Sequence, residues 1–92
     1  MVDSPINKLQ QLMTITMEEC GELTQRCSKI IRKYKEADDI EDDQRQKLLE
    51  EAGDVLCMLE LLHEHGVCNW KEMEKRSWVK REKLKTWSDL IE

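Results

Sequence analysis

Phenylalanine is absent, tyrosine occurs once, and glycine and proline total four residues. With so few turn-formers and β-favouring aromatics, β-rich architectures are excluded. No apolar run approaches the roughly 18 residues that a membrane-spanning helix needs. The first residues carry no signal-peptide pattern, so the expectation is a cytoplasmic protein with no membrane partner. Cys20, Cys27, Cys57 and Cys68 form no CxxC pair, which argues against a zinc site. They are expected as buried or part-buried free thiols that behave as small apolar residues. A cationic excess is also missing: the net charge of −5 argues against nucleic acid as the main partner.

What remains is rich in Leu, Met, Glu, Lys and Gln, the residues of helices. At 92 residues the chain is expected to form one domain over 1–92, near the lower limit for an independent core. Asp3-Ser4-Pro5 reads as a helix start. From there Ile6, Leu9, Met13, Thr16, Cys20, Leu23, Cys27, Ile30 and Tyr34 follow a three-four spacing and predict one apolar seam along a helix over about 5–34. Such a helix is roughly 45 Å long, more than two short helices can cover. A second subunit is therefore expected on the rest.

From Glu36 to Asp43 six of eight residues are acidic, which predicts a solvated loop over about 36–42. A second helix follows over about 43–65, led by Asp42 and Asp43 and stopped by Gly66. His63 and His65 fall at its C-terminal turn, where histidine suits the helix dipole. Its apolar residues cover most faces, leaving a polar strip at Glu50, Gly53, Cys57, Glu60 and Glu64. Asn69 and Glu72 predict a capping box for a third helix over about 70–80, followed by a basic tail over about 81–92 that either extends the helix or wraps back, anchored by Trp87, Leu90 and Ile91. The expected fold is all-α: a long helical hairpin, a third helix and a C-terminal tail, completed as a bundle by oligomerisation.

The most informative pattern is a repeat. Glu18-Glu19-Cys20-Gly21-Glu22 returns as Glu50-Glu51-Ala52-Gly53-Asp54. Each copy places two carboxylates three positions apart, Glu19 with Glu22 and Glu51 with Asp54, and such pairs share a helix face. On a helical wheel Glu51 and Asp54 fall with Val55, Met58, Leu61 and Leu62, while Glu19 and Glu22 flank the first seam beside Leu12 and Ile15. A glycine at the same place in both copies suggests that another element approaches closely there. Four carboxylates directed into one pocket repel one another and resist desolvation. A hard divalent cation relieves both penalties, and Mg²⁺ accepts a few carboxylates while keeping waters and phosphate oxygens. That combination suits phosphoanhydride hydrolysis. Exposed helix-face acids paired with Lys and Arg are the bland alternative.

The chain is acidic at one end and basic at the other. Met1 to Asn69 holds 8 basic and 15 acidic side chains, whereas Trp70 to the end holds 7 basic and 5 acidic. An acidic body beside a basic tail suits a metal and a phosphate bound together, although a solvated helix face accounts for much of the tail equally well. Trp70, Trp78 and Trp87 could stack on a base or pack in a core or interface.

Glu18-Glu19-x-x-Glu22 followed, after 28 intervening residues, by Glu51-x-x-Asp54 resembles the signature of the MazG-like all-α nucleoside triphosphate pyrophosphohydrolases, and the small size and the ending Lys83-Leu84-Lys85-Thr86-Trp87-Ser88 are similar to short phage-type members. The resemblance implies Mg²⁺-dependent hydrolysis, with Mn²⁺ as a substitute, of a (deoxy)nucleoside triphosphate to the monophosphate and pyrophosphate, in a homodimer or homotetramer. A role in nucleotide-pool control would follow. It implies Glu19, Glu22, Glu51 and Asp54 as metal ligands, with Glu19 or Glu22 also positioning or deprotonating the water as the catalytic residue. Lys80, Arg81 and Lys83 occupy the region that contacts phosphates in such proteins. Arg26 or Lys29 would take that role if the tail does not. From a different class, a non-catalytic helical adaptor or antitoxin-like interaction protein also fits the long apolar seam.

Overall fold

A computed structural model describes residues 7–92, and among them the architecture is all-helical: α1 (Lys8–Lys33), a 3₁₀ turn (Ala37–Asp39), α2 (Asp42–Glu64) and α3 (Trp70–Trp87). The chain divides into two compact units, one ending at Leu61 and the other running from Leu62 to Glu92. No helix among the described residues is long and apolar enough to cross a membrane.

The expected start at Asp3-Ser4-Pro5, together with Ile6 of the seam, lies outside the described residues. The helix begins at Lys8, where Asn7 forms a reciprocal capping box: its Oδ1 accepts from the Gln10 N–H at 2.8 Å, and its own N–H donates to Gln10 Oε1 at 3.0 Å. Two of the helix's orphan donor groups are satisfied at one stroke. Arg32 and Lys33 occupy the last turn, where positive charge suits the carbonyl end of the helix.

Within the first unit α1 and α2 run antiparallel. Lys33 meets Glu41, Arg26 meets Gln44 and Glu51, and Glu19 and Glu22 meet Asp54, so partners descend α1 as they ascend α2. The acidic connection expected as a plain loop contains the 3₁₀ turn. Arg45 Nη2 donates to the Ala37 carbonyl at 2.6 Å and tethers the turn to the start of α2.

The inward face of α1 shares Thr16, Leu23 and Ile30 with the predicted seam but departs from it elsewhere. Buried or half-buried positions are Gln11, Leu12, Thr16, Glu19, Leu23, Arg26 and Ile30, whereas Leu9, Met13, Cys20 and Cys27 are exposed. At about 100° per residue the buried stripe is rotated by roughly 50° from the predicted one. The cause is width. Apolar residues spread around α1 further than one partner helix can cover, and α2 takes the side where Arg26 meets Glu51. Thr16 enters that face at no cost because its hydroxyl donates to the Leu12 carbonyl at 2.7 Å. On α2, Gln44, Leu48, Glu51, Val55 and Met58 turn inward, again at three-four spacing. Leu49 and Leu56 stay exposed, so the helix presents an uncovered apolar side besides its polar strip.

Two further expectations are corrected. A Cβ at Gly21 or Gly53 would meet nothing within 4 Å, so no element among the described residues approaches either glycine. All four cysteines are free but exposed rather than buried.

In the second unit α2 ends as predicted. Gly66 takes the left-handed conformation at φ 73°, which glycine adopts without Cβ strain. The Val67 and Cys68 N–H groups close onto the Leu62 carbonyl at 2.9 and 3.1 Å. Asn69 Oδ1 accepts from the Glu72 N–H and caps α3. His63 also serves this corner, its Nδ1 accepting from the Trp70 N–H at 3.1 Å. Of the two courses open to the basic segment, helix extension is the one taken, as far as Trp87, for its Lys, Arg, Glu and Leu residues are good helix formers with no Gly or Pro among them. Helix formation there depends on propensity and i,i+3 pairs such as Lys85–Glu82, 3.0 Å apart, because α3 has no buried residue.

Candidate metal centre

Glu19 and Glu22 lie one turn apart on α1, and Asp54 faces them from α2. One carboxylate oxygen from each lies within 4.8 Å of the others. Three of the four acids named from the repeat are thus brought together. Glu22 and Asp54 are exposed, while Glu19 is half-buried, and Glu19 Oε2 is fully buried with no hydrogen-bond donor. An oxygen in that state is costly. The Glu19 carboxyl is accordingly pushed above its usual range, first by loss of solvent and then by the negative charges of Glu22, Asp54, Glu18 and Glu51.

Glu51 has a different partner. It accepts from Arg26 Nε at 3.2 Å, and Arg26 Nη1 donates to Gln44 Oε1 at 2.8 Å. The pair is well covered, with 13% of the Arg26 side chain and 19% of the Glu51 side chain exposed. The periodicity that placed Glu51 on the apolar side of α2 is reflected in its half-buried position, and the guanidinium supplies the counter-charge. Arg26 follows Glu22 by one turn, so Glu19, Glu22 and Arg26 form one column on α1. Sequence reasoning held Arg26 only as a reserve phosphate contact and missed this pairing. The available signal was its i+4 spacing from Glu22 and i+7 spacing from Glu19 on the same face.

The donor set fits a hard divalent cation. It offers carboxylate oxygens alone, from two helices, with one oxygen desolvated and lacking any donor; Mg²⁺ and Mn²⁺ prefer such ligands over nitrogen or sulfur. Two of the three acids, Glu22 and Asp54, are open to solvent.

Lys80, Arg81 and Lys83 are exposed on α3 in the second unit. Arg81 lies over the ring of Trp78, 5.8 Å from its centroid, a cation–π contact that keeps the guanidinium near an exposed aromatic surface. Trp78 and Trp87 are both largely exposed, so neither is a core residue of this chain. No protein-family model matches the chain, and no curated protein or solved structure matches it either.

Proposed function

We propose that the chain is a Mg²⁺-dependent hydrolase that converts (deoxy)nucleoside triphosphates to the monophosphate and pyrophosphate, and that it works as a homo-oligomer. The observation that carries this reading is the convergence of Glu19, Glu22 and Asp54, with one Glu19 oxygen buried and unpartnered. A cation held by these acids would polarise a phosphate oxygen and acidify a bound water. Glu22 and Asp54 present their carboxylates to solvent, where a triphosphate can approach. Glu19 or Glu22, the two α1 acids of the site, would position or deprotonate that water. The MazG-like resemblance adds Lys80, Arg81 and Lys83 as phosphate contacts, which would stabilise charge developing on the leaving pyrophosphate. The MazG-like pattern of the repeat supports the same reading.

Support for an oligomer comes from the surfaces left open. Leu23, Cys20, Cys27 and Ile31 line an open groove along α1, and Leu49 and Leu56 stand out from α2. Leu12, Met58 and Leu62 are the buried apolar residues among those described, too few to hold a chain of this length alone. These same open faces favour the second reading, a helical adaptor that hydrolyses nothing. Incubation with each NTP and dNTP, with and without Mg²⁺, separates the two. Pyrophosphate release that requires Mg²⁺ and is abolished by Asp54→Asn is the expected result. A folded protein that releases none from any nucleotide would overturn the hydrolase and leave the adaptor.

A further inference from the structure

The Arg26–Glu51 pair stands one turn beyond the acidic triad, on the same two helices. Among the described residues Glu51 alone of the four repeat acids has an ion-pair partner. It lies three positions before Asp54, a member of the triad, and Arg26 lies four positions after Glu22, another member. Both charges are well covered. Separating such a pair is costly, because each charge would remain desolvated without its counter-ion. A cation at the triad competes for Glu51, because a divalent charge attracts a carboxylate more strongly than a guanidinium does. The rigid fork of Arg26 would then need another anion, and a planar guanidinium matches phosphate oxygens geometrically.

We infer that Arg26 is the internal counter-ion that Glu51 exchanges for the divalent cation, and that the released guanidinium becomes a phosphate-binding group of the same site. Arg26 therefore acts in two ways. Before loading it withholds Glu51 and lowers affinity for the bare cation. After loading it is free to engage an anion, so the cation prepares the site for phosphate. Gln44 steers the exchange, since its Oε1 holds Nη1 at 2.8 Å and tethers the guanidinium as Nε lets go. The inference rests on the triad being a cation site, and the test separates the two.

The experiment is calorimetric titration of the full chain with Mg²⁺ in the absence of nucleotide. Asp54→Asn should lose binding that the unmodified protein shows. Arg26→Met should bind Mg²⁺ about tenfold tighter, the scale of a lost hydrogen bond between charged groups. In a Glu51→Gln background the same substitution should change affinity by less than about threefold, because Arg26 acts through Glu51. Equal or weaker binding by Arg26→Met, or an undiminished effect in the Glu51→Gln background, overturns the exchange while leaving the triad intact. Absence of Mg²⁺ binding by the unmodified protein overturns both. Should the Arg26 variant fail to fold, the unmodified protein still decides the matter: the Arg26 Nε–H resonance must shift along the Mg²⁺ titration with the midpoint seen by calorimetry. A resonance that stays in place through saturation refutes the exchange.

Discussion

Ile31 provides the most direct test of whether a second copy covers α1. Its side chain is 78% exposed and lies in the groove with Leu23 and Cys27, so in an isolated chain Ile31→Ala should alter stability by no more than about 0.5 kcal/mol. In an oligomer joined through this groove the side chain is buried instead. Removing three carbons then costs about 2 kcal/mol per chain, at roughly 0.8 kcal/mol per buried methylene. A two-fold interface carries the change twice, about 4 kcal/mol, which weakens association roughly a thousandfold. Sedimentation equilibrium from nanomolar to micromolar protein reads that shift, and circular dichroism on the same samples reports helix content. Leu12→Ala is the contrasting variant. Leu12 is only 6% exposed and belongs to the core of the single chain, so its loss should destabilise the fold by about 2–5 kcal/mol. An Ile31→Ala change below tenfold in dissociation constant, or an unmodified protein that sediments as a folded monomer, would refute the argument that this groove is covered.

In chelator, Glu19→Gln should raise the thermal midpoint at neutral pH. The folded carboxyl of Glu19 titrates above its ordinary 4.5, so the folded state binds the proton more tightly than the unfolded one. Stability then falls as pH rises from about that ordinary value through the raised one, and the Gln variant should flatten that slope and converge with the unmodified protein toward acid pH. A Gln variant less stable than the unmodified protein at neutral pH would contradict the origin assigned to the shift, namely burial and the charges of Glu22, Asp54, Glu18 and Glu51. Replacing Lys80, Arg81 and Lys83 together by Ala should lower kcat/KM at least about tenfold, about 1.4 kcal/mol of transition-state stabilisation, with helix content retained. Kinetics identical to those of the unmodified protein would return all three to the solvated face of α3.

Much of this protein was legible in local patterns. Three-four spacing of apolar residues identified α1, a broadly apolar stretch between Asp42 and Gly66 identified α2, Asn69 marked the start of α3, and the repeated acid spacing singled out Glu19, Glu22, Glu51 and Asp54. Those features depend on neighbours within one or two turns, and helical geometry makes such neighbours calculable. The extent of α3 was also a local matter, for the residues from Arg81 to Trp87 are helix formers. Tertiary structure alone decided which side of α1 turns inward. Leu12, Glu19, Arg26 and Ile30 and the apolar line through Met13, Cys20 and Cys27 are adjacent stripes on one broad face, and only the register against α2 selects between them. That register set Arg26 against Glu51, drew Asp54 to Glu19 and Glu22, and left Cys20, Cys27 and Ile31 uncovered. No periodicity within a single helix carries this information, because it resides in the relative rotation of two helices and in pairs such as Arg26–Glu51 that their packing brings together.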